Sequence, residues 1–130
     1  MSQTPALSGI HVLVVDDDKD ARDVLRYVLE LEGATVSSAS SAAAAFEFFG
    51  RSLPHVLLVD IAMPIVDGFT FMELLRRRRP EAGGTLPVAA LTGYISAQDE
   101  ERAYKAGCQL YLVKPVEPEA LVAAIKKLHG

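Results

Sequence analysis

Four short apolar runs in the sequence each end in a polar residue, and these polar residues differ in chemistry. The runs span residues 11–15, 55–59, 88–91 and 110–113. The polar residues that follow them are Asp16, Asp17, Asp60, Thr92 and Lys114. Unbroken apolar runs of this length are typical of strands buried on both faces of a parallel sheet. Because ligands of such sheets bind at the carboxyl ends of the strands, the pattern predicts one crevice with carboxylates, a hydroxyl and an ammonium group.

The segments between these runs carry helix signals, and a fifth, weaker strand is predicted at Ala34–Ser38. The spacing of one helical face predicts a first helix over Lys19–Glu32, with an inward face of Ala21, Val24, Leu25 and Val28. It predicts a third helix over about Thr70–Arg79, with Phe71, Leu74 and Leu75 inward. The start signals of the second, fourth and fifth helices are Ser40 or Ser41, Ser96 with Asp99, and Pro118. Five strands alternating with five helices predict an α/β fold with a doubly wound parallel sheet.

Composition narrows the class of protein. The 130 residues suit one domain, which we expect over residues 9–130, after an N-terminal arm at residues 1–8. The hydrophobic fraction of 50% favours a globular core, and the formal net charge of -4 gives no reason to expect sequence-independent nucleic-acid binding. Cys108 alone supports neither a disulfide framework nor a thiolate zinc site. Because no segment resembles a signal peptide or a membrane span, we expect a cytoplasmic protein without membrane contact.

Five aspartates lie close together near the start of the chain. They are Asp16, Asp17, Asp18, Asp20 and Asp23. Carboxylates crowded in this way repel one another unless a cation lies among them, so the cluster indicates a metal site. An acid between a strand and a helix is often only an N-cap, which is the better interpretation of Asp16 and Asp17 taken alone. A calcium-binding loop is excluded, because Ala21 stands where that loop needs glycine and Tyr27 where it needs glutamate.

Asp60 adds weight to the metal interpretation. It directly follows four apolar residues in the predicted central strand, where an unpaired charge is costly. It precedes Met63-Pro64 and the turn signal Asp67-Gly68. A cap or loop acid remains an alternative, but the expected proximity of Asp16 and Asp17 favours a shared cation.

Thr92 and Lys114, at two further strand ends, and Tyr111, inside the last predicted strand, each have an interpretation without a functional role. Thr92 alone fits a cap or a turn, and Lys114 alone fits a solvated lysine. The position of Lys114 between Val113 and Pro115, at a strand end, favours an inward role, and the Lys114–Pro115 bond is a candidate cis peptide. Tyr111 is either a packing residue or a ring that changes rotamer.

Taken in order, these motifs resemble the receiver domain of two-component response regulators. The resemblance is carried by Val14-Val15-Asp16-Asp17, Val59-Asp60-Ile61-Ala62-Met63-Pro64 with Asp67-Gly68, Leu91-Thr92-Gly93 and Tyr111-Leu112-Val113-Lys114-Pro115. It extends from about Gly9 to the C-terminus. It implies a flavodoxin-like fold with the strand order 2-1-3-4-5.

The resemblance also implies a phosphorylation site. Asp60 would be the phosphoacceptor, attacking a phosphohistidine on a histidine kinase or a histidine phosphotransfer domain. A Mg²⁺ ion would be held by Asp17, Asp60 and the backbone carbonyl of Ala62, with Asp16 assisting directly or through water. The domain would catalyse only its own phosphorylation and dephosphorylation, and would not otherwise be an enzyme.

Further roles implied by the resemblance concern the response to phosphate. Lys114 would contact one phosphoryl oxygen, and Thr92 would hydrogen-bond another. Tyr111 would then turn inward and alter a partner-binding face formed by the fourth helix, the last strand and the fifth helix.

The ends of the chain suggest a subtype. Leu7-Ser8-Gly9 and residues 114–118 look like receivers attached to hybrid sensor kinases or to chemotaxis-type proteins. The last helix lacks the arginine pattern of dimerising DNA-binding regulators, so we expect a monomer or weak dimer without nucleic-acid contact. Because the sequence ends with this helix, we expect no output domain.

Two rival functions remain at this point. A small Mg-dependent phosphatase of the haloacid dehalogenase type would place its Asp-x-Asp motif on Asp16 and Asp18. Lys19-Asp20 does not fit that motif, and the chain has no room for a cap domain. The second rival is a receiver-like module that binds partners without being phosphorylated, which the intact acidic set, Thr92 and Lys114 disfavour.

Overall fold

One parallel sheet of five strands forms the centre of the computed structural model, which describes residues 4–93 and 96–130. The strands are β1 (His11–Val15), β2 (Thr35–Ala39), β3 (Val56–Asp60), β4 (Val88–Thr92) and β5 (Leu110–Val113). The helices are α1 (Lys19–Leu31), α2 (Ala42–Phe49), α3 (Gly68–Arg76), α4 (Ala97–Ala106) and α5 (Pro118–His129), with a 3-10 helix at Pro80–Ala82. The sheet order β2-β1-β3-β4-β5 confirms the predicted flavodoxin-like, doubly wound fold. None of the described helices combines the length and apolarity of a membrane span.

The strands separate two hydrophobic clusters, because successive side chains of a strand point to opposite faces of the sheet. In β3, Leu57 and Val59 pack in the cluster covered by α2, α3 and α4. Val56 and Leu58 pack in the cluster covered by α1 and α5. These four side chains are fully buried. The unbroken apolar runs of the sequence therefore correspond to strands that are buried on both faces.

The inward face of α1 agrees with the prediction at Leu25 and Val28 but not at Val24. Val24, expected inside, is 62% exposed, whereas Leu29 is fully buried and Leu25 and Val28 pack beside it. With about 3.6 residues per turn, Val24 lies roughly 140° around the helix from Leu29, so it cannot share a narrow apolar stripe with it. The prediction for Val24 was wrong in its phase along the helix.

The bounds of α3 and the side chain of Leu74 also depart from the prediction. The helix begins two residues early, because the Asp67 side chain accepts a hydrogen bond from the Thr70 N–H and caps it. It ends at Arg76 rather than Arg79, consistent with the bias against helical backbone before Pro80. Leu74 is partly exposed, whereas Phe71 and Leu75 are buried in the core as predicted.

Several local predictions are confirmed. The Ser41 side chain accepts a hydrogen bond from the Ala44 N–H at the start of α2, and Ser96 accepts one from Asp99 at the start of α4. Pro118 is the first residue of α5. The Lys114–Pro115 peptide bond is cis.

The described part of the predicted N-terminal arm packs on the domain. Leu7 is fully buried in the cluster under α1 and α5, and its N–H donates to the Glu32 carbonyl at 2.8 Å. The largely polar composition of residues 1–8 gave no indication that Leu7 packs in the core. The boundary between residues 8 and 9 stays a prediction, but Leu7 belongs to the core.

Two histidines, His11 and His55, lie together at the amino ends of β1 and β3, the opposite end of the strands from the predicted crevice. The His11 N–H donates to His55 Nδ1 at 2.8 Å, so this nitrogen must be unprotonated. His11 Nε2 lies 2.8 Å from Ser37 Oγ. Burial lowers the pKa of His11 below its ordinary value, and the neighbouring His55 lowers it further.

We expect these contacts to make the fold acid-sensitive. Because the folded-state pKa of His11 is lowered, the unfolded chain binds more protons below about pH 6.5, and the contribution of His11 to stability falls as the pH drops. Urea unfolding at pH 7.5 and pH 5.5 measures the loss. His11→Gln keeps a polar partner for Ser37 but does not titrate, so its loss over this interval should be smaller. An equal loss in both proteins would contradict the assignment.

Candidate functional site

Three charged side chains converge at the carboxyl ends of β1, β3 and β5. Lys114 Nζ lies 3.1 Å from Asp16 Oδ2 and 3.6 Å from Asp60 Oδ1. Both carboxylates are buried, and the lysine is about two-thirds buried. The structure therefore brings together the two acids and the ammonium group that the sequence placed at one edge.

Strand periodicity explains which residues meet. Asp16, Asp60 and Lys114 each continue the set of side chains that faces α1 and α5. Thr92 continues the other set of β4, and the Tyr111 ring packs in the cluster under α2, α3 and α4. The ionic groups and the pair of predicted switch residues thus belong to opposite faces of the sheet.

Asp16 is held by hydrogen bonds on several sides. Its Oδ1 accepts from the Asp18 N–H at 2.9 Å, and its backbone carbonyl accepts from Arg22 Nη1 at 2.8 Å. Asp18 in turn caps α1 by accepting from the Asp20 N–H. This contact of Arg22 has no signature in the sequence, because nothing in a helical arginine indicates that it reaches back to the preceding loop.

Asp60 is positioned by the loop between β3 and α3. Its Oδ1 accepts a hydrogen bond from the Ala62 N–H at 3.2 Å. Gly68 packs so closely that an added Cβ would lie 2.7 Å from both the Asp60 carbonyl oxygen and Ile61 Cα. The Asp67-Gly68 turn signal therefore has two functions, a helix cap and a close backbone approach behind Asp60.

The environment of Asp60 disfavours its charge. Burial is the main cause that raises the pKa of the Asp60 carboxyl, and the charges of Asp16 and Asp17 add to the rise. Lys114 and the Ala62 N–H oppose it. Asp16, Asp17 and Asp60 each offer a carboxylate oxygen, and these oxygens lie within 4.8 Å of one another. Such a set fits a hard divalent cation, which binds oxygen ligands and offsets this repulsion.

Of the two predicted switch residues, Thr92 ends the strand next to β3, whereas Tyr111 packs on the opposite face of the sheet from the cluster. Thr92 is buried at the end of β4, opposite Val113, and its carbonyl accepts a hydrogen bond from the Lys114 N–H at 2.7 Å. The Tyr111 hydroxyl is buried, and no described residue hydrogen-bonds to it. The ring is therefore already turned inward in this structure, and the rotation that the resemblance implies stays a prediction.

An apolar groove of about 480 Å³ opens beside the acidic cluster. Ala21, Val24 and Leu25 of α1 form one wall, and Pro115 and Val116 after β5 form another. The exposure of Val24, which the helical pattern missed, places it in this groove. The groove gives the mouth of the site an apolar side.

Comparison with known proteins assigns the family. The sequence profile described as the response regulator receiver domain matches residues 12–126, nearly the whole chain. The chain belongs to this family. Membership explains the conjunction of the acidic cluster with Lys114 at one sheet edge. Receiver domains are signalling domains of two-component systems, and neither rival function is favoured.

Relatives by sequence differ in length. A 14.6 kDa protein encoded in the sodA1 3′ region of Leptolyngbya boryana is 44% identical over 93% of this chain and 91% of its own length. Response regulator Rre1 of Synechocystis sp. is 34% identical over 92% of this chain but only 51% of its own length. MprA of Mycobacterium ulcerans is similar, at 35% identity and 50% of its length. The chain thus spans about half of these response regulators.

Solved structures agree with the fold of the receiver domain. A putative response regulator from Chloroflexus aurantiacus superposes with a TM-score of 0.86 at 32% identity, covering 92% of this chain and 97% of that one. The chemotaxis protein CheY4 of Vibrio cholerae superposes with a TM-score of 0.84 at 25% identity, covering 94% and 98%. The expected link to hybrid sensor kinases stays a prediction.

Asp60→Asn should stabilise the receiver domain in the absence of divalent cations. The change removes a buried charge whose pKa is raised, so we expect Tm to rise by about 3–5 °C, or roughly 1 kcal/mol. Thermal unfolding in EDTA measures it. Asp67→Asn is the matched control, because position 67 lies outside the acidic cluster and asparagine is as good an N-cap as aspartate. A lower Tm for Asp60→Asn would mean that attraction to Lys114 outweighs burial.

Proposed function

We propose that this receiver domain takes a phosphoryl group from a protein phosphohistidine onto the Asp60 carboxylate. The observation that carries the proposal is the Lys114 ammonium between Asp16 and Asp60, beside a third carboxylate, Asp17. This arrangement offers a nucleophile, an anion-binding cation and a cation-binding set within one crevice. Transfer of a phosphoryl group between two anionic partners requires these groups.

Lys114 is the proposed contact for a phosphoryl oxygen. Its Nζ is already 3.6 Å from Asp60 Oδ1, so a short movement of a flexible side chain suffices to reach a group bonded to that oxygen. Asp16 does not become unpaired when Lys114 moves, because it keeps the hydrogen bond from the Asp18 N–H. Thr92, at the adjacent strand end, is the proposed partner of a second phosphoryl oxygen.

Mg²⁺ is the proposed cofactor, and the residues present fit it. Asp17 and Asp60 would bind the ion directly together with the backbone carbonyl of Ala62. Asp16 would assist through water, since both of its carboxylate oxygens already accept hydrogen bonds. The bound ion supplies charge neutralisation when the phosphoryl group approaches.

The proposed response passes through Thr92 and Tyr111. Both side chains lie on the sheet face covered by α2, α3 and α4, and their strands β4 and β5 are paired. Movement of Thr92 towards a phosphoryl group on Asp60 would free space on this face and favour a new position of the tyrosine ring. The surface formed by α4, β5 and α5 would change accordingly and alter partner binding.

The proposed partner is a histidine kinase or a histidine phosphotransfer domain. The apolar groove beside the acidic cluster suits a protein surface better than a small charged donor. We propose that the domain catalyses only its own phosphorylation and dephosphorylation in the cytoplasm, as a monomer or weak dimer that does not contact nucleic acid itself.

The geometry disfavours the phosphatase alternative. That alternative needs Asp18 as the second acid of an Asp-x-Asp pair. Asp18 instead caps α1, and its Oδ1 accepts the Asp20 N–H at 3.0 Å. The alternative of an unphosphorylated interaction module gives no reason for three carboxylates to cluster despite their mutual repulsion.

Phosphoryl uptake tests the proposal. Incubation with acetyl phosphate and Mg²⁺ should give an acid-stable, base-labile adduct detectable by mass, and Asp60→Ala should abolish it. Lys114→Ala should retain partial uptake but lose most of the change in Tyr111 environment, because it removes the phosphoryl contact. Asp23→Asn, an exposed acid on α1 paired with Lys19, is the control and should label normally. Wild-type labelling of Asp60→Ala would exclude Asp60 as the acceptor.

Magnesium should stabilise the receiver domain without phosphate. Binding to the folded state alone adds about 2.7 kcal/mol at a concentration a hundredfold above the dissociation constant. Asp17→Asn removes a proposed direct ligand, so we expect it to lose most of the increase in Tm that MgCl₂ produces in wild type. Asp23→Asn should keep the increase. A wild-type Tm that does not respond to millimolar MgCl₂ would refute the site.

A further inference from the structure

Arg22, in the first turn of α1, makes a contact that its charge alone does not explain. It lies in a segment that carries five aspartates, yet none of the ion pairs among the described residues includes it. Its Nη1 instead donates to the backbone carbonyl oxygen of Asp16 at 2.8 Å, and the side chain is partly buried. A charged donor directed at a backbone carbonyl holds the chain at that point rather than neutralising an acid.

The carbonyl that Arg22 contacts belongs to the peptide group that joins Asp16 to Asp17. Because a peptide group is planar, a hydrogen bond to this oxygen also restricts the direction of the Asp17 N–H and of the Asp17 backbone. The preceding peptide group is anchored as well, since the Asp16 N–H donates to the Ala39 carbonyl at the end of β2 at 3.1 Å. The connection between β1 and α1 is therefore held at two successive peptide groups.

Asp17 is the member of the acidic cluster that depends most on this backbone support. Asp16 and Asp60 are buried, and their carboxylates accept hydrogen bonds from N–H groups at 2.9 Å and 3.2 Å, whereas Asp17 is exposed. Within residues 4–93 and 96–130, no group hydrogen-bonds to the Asp17 carboxylate and no cationic side chain pairs with it. Its direction is thus set by the backbone.

We propose that Arg22 is a positioning residue for Mg²⁺, because its hydrogen bond to the Asp16 carbonyl directs the Asp17 carboxylate towards the ion. The inference rests on the proposed function, and it adds a residue that touches neither the ion nor the phosphoryl group. Mg²⁺ demands nearly ideal octahedral geometry, so its binding is sensitive to the direction of each ligand. Loss of a group that orients a metal ligand typically weakens metal binding by roughly 10- to 100-fold.

The direction of the effect separates positioning from electrostatics. Arg22 carries a positive charge near the proposed site of a cation, so its charge alone opposes Mg²⁺ binding. If charge were its main contribution, removing it would tighten binding. If Arg22 positions Asp17, removing it weakens binding although a repulsive charge has been lost. A role confined to the stability of α1 would lower Tm and leave the Mg²⁺ dissociation constant unchanged.

Three variants of the full chain test the proposal. Arg22→Met removes the donor and the charge but keeps an apolar stem. Arg22→Lys keeps the charge but lacks the planar guanidinium, so electrostatics alone predicts no change for it. Arg26→Met is the matched control, because Arg26 lies one turn further along α1, where it pairs with Glu30 at 3.9 Å.

Thermal unfolding over a series of MgCl₂ concentrations at constant ionic strength gives the dissociation constant, since binding to the folded state stabilises it in proportion to the logarithm of the bound-to-free ratio. We expect Arg22→Met to raise this constant about tenfold, equivalent to roughly 1.4 kcal/mol, and Arg22→Lys to raise it about threefold. Arg26→Met should stay within about twofold of wild type. In the metal-free protein, the ¹⁵N order parameter of the Asp17 N–H should fall in Arg22→Met.

Other outcomes overturn the inference. A smaller dissociation constant in Arg22→Met would assign Arg22 an electrostatic role, and an unchanged constant in both Arg22 variants would leave it a role in stability alone. Equal weakening in Arg26→Met would assign the effect to α1 as a whole, and an unchanged Asp17 order parameter would exclude positioning. Each of these results leaves the proposed function intact. A wild-type Tm that does not respond to MgCl₂ would instead refute the Mg²⁺ site, and this inference with it.

Discussion

The ammonium group of Lys114, placed between two buried carboxylates, is the interaction on which the carboxyl edge of the sheet depends. Asp16 and Asp60 end two adjacent strands, and each carboxylate would be costly to bury alone. Lys114 reaches both from β5, which does not pair with either strand. Removing Lys114 would leave both buried carboxylates without their cation, whereas removing Asp60 would leave Lys114 paired with Asp16. Gly68 supports this arrangement, because it allows the close backbone approach behind Asp60.

The two faces of the sheet divide the work of a receiver domain. The charged groups continue the face under α1 and α5, whereas Thr92 and the Tyr111 ring belong to the face under α2, α3 and α4. β4 pairs with both β3 and β5, so its carboxyl end lies between the proposed acceptor Asp60 and the strand that carries Tyr111. A phosphoryl group on Asp60 would therefore lie next to Thr92, whose side chain belongs to the face under α2, α3 and α4. A local displacement of Thr92 would then suffice to link phosphorylation to the proposed partner-binding surface of α4, β5 and α5.

Much of this arrangement was predictable from the sequence, because a buried parallel strand reads as an apolar run and the carboxyl ends of parallel strands share an edge. Asp60 and Lys114 could be placed for that reason, and the caps at Ser41 and Ser96 for their local chemistry. The phase of a helix is less well determined: Val24 lies at the border of the apolar stripe, where one residue decides burial or exposure. Long-range contacts such as that of Arg22 leave no local pattern. The positive φ of 69° at Ile65, in the loop between β3 and α3, also has no signature in the sequence, because a β-branched residue rarely adopts it.

Charge balance supports the proposal that a divalent cation binds beside Lys114. Three clustered carboxylates and one ammonium group leave two negative charges in the crevice, which a divalent cation cancels. A phosphorylated Asp60 would carry more negative charge than the carboxylate that it replaces. In the proposed phosphorylated state the cation alone would not balance the crevice, so attraction would draw Lys114 from Asp16 towards the phosphoryl group. Asp16 tolerates the loss because the Asp18 N–H and the α1 cap hold it in place. The same ammonium group can therefore neutralise the resting site and respond to the phosphorylated one.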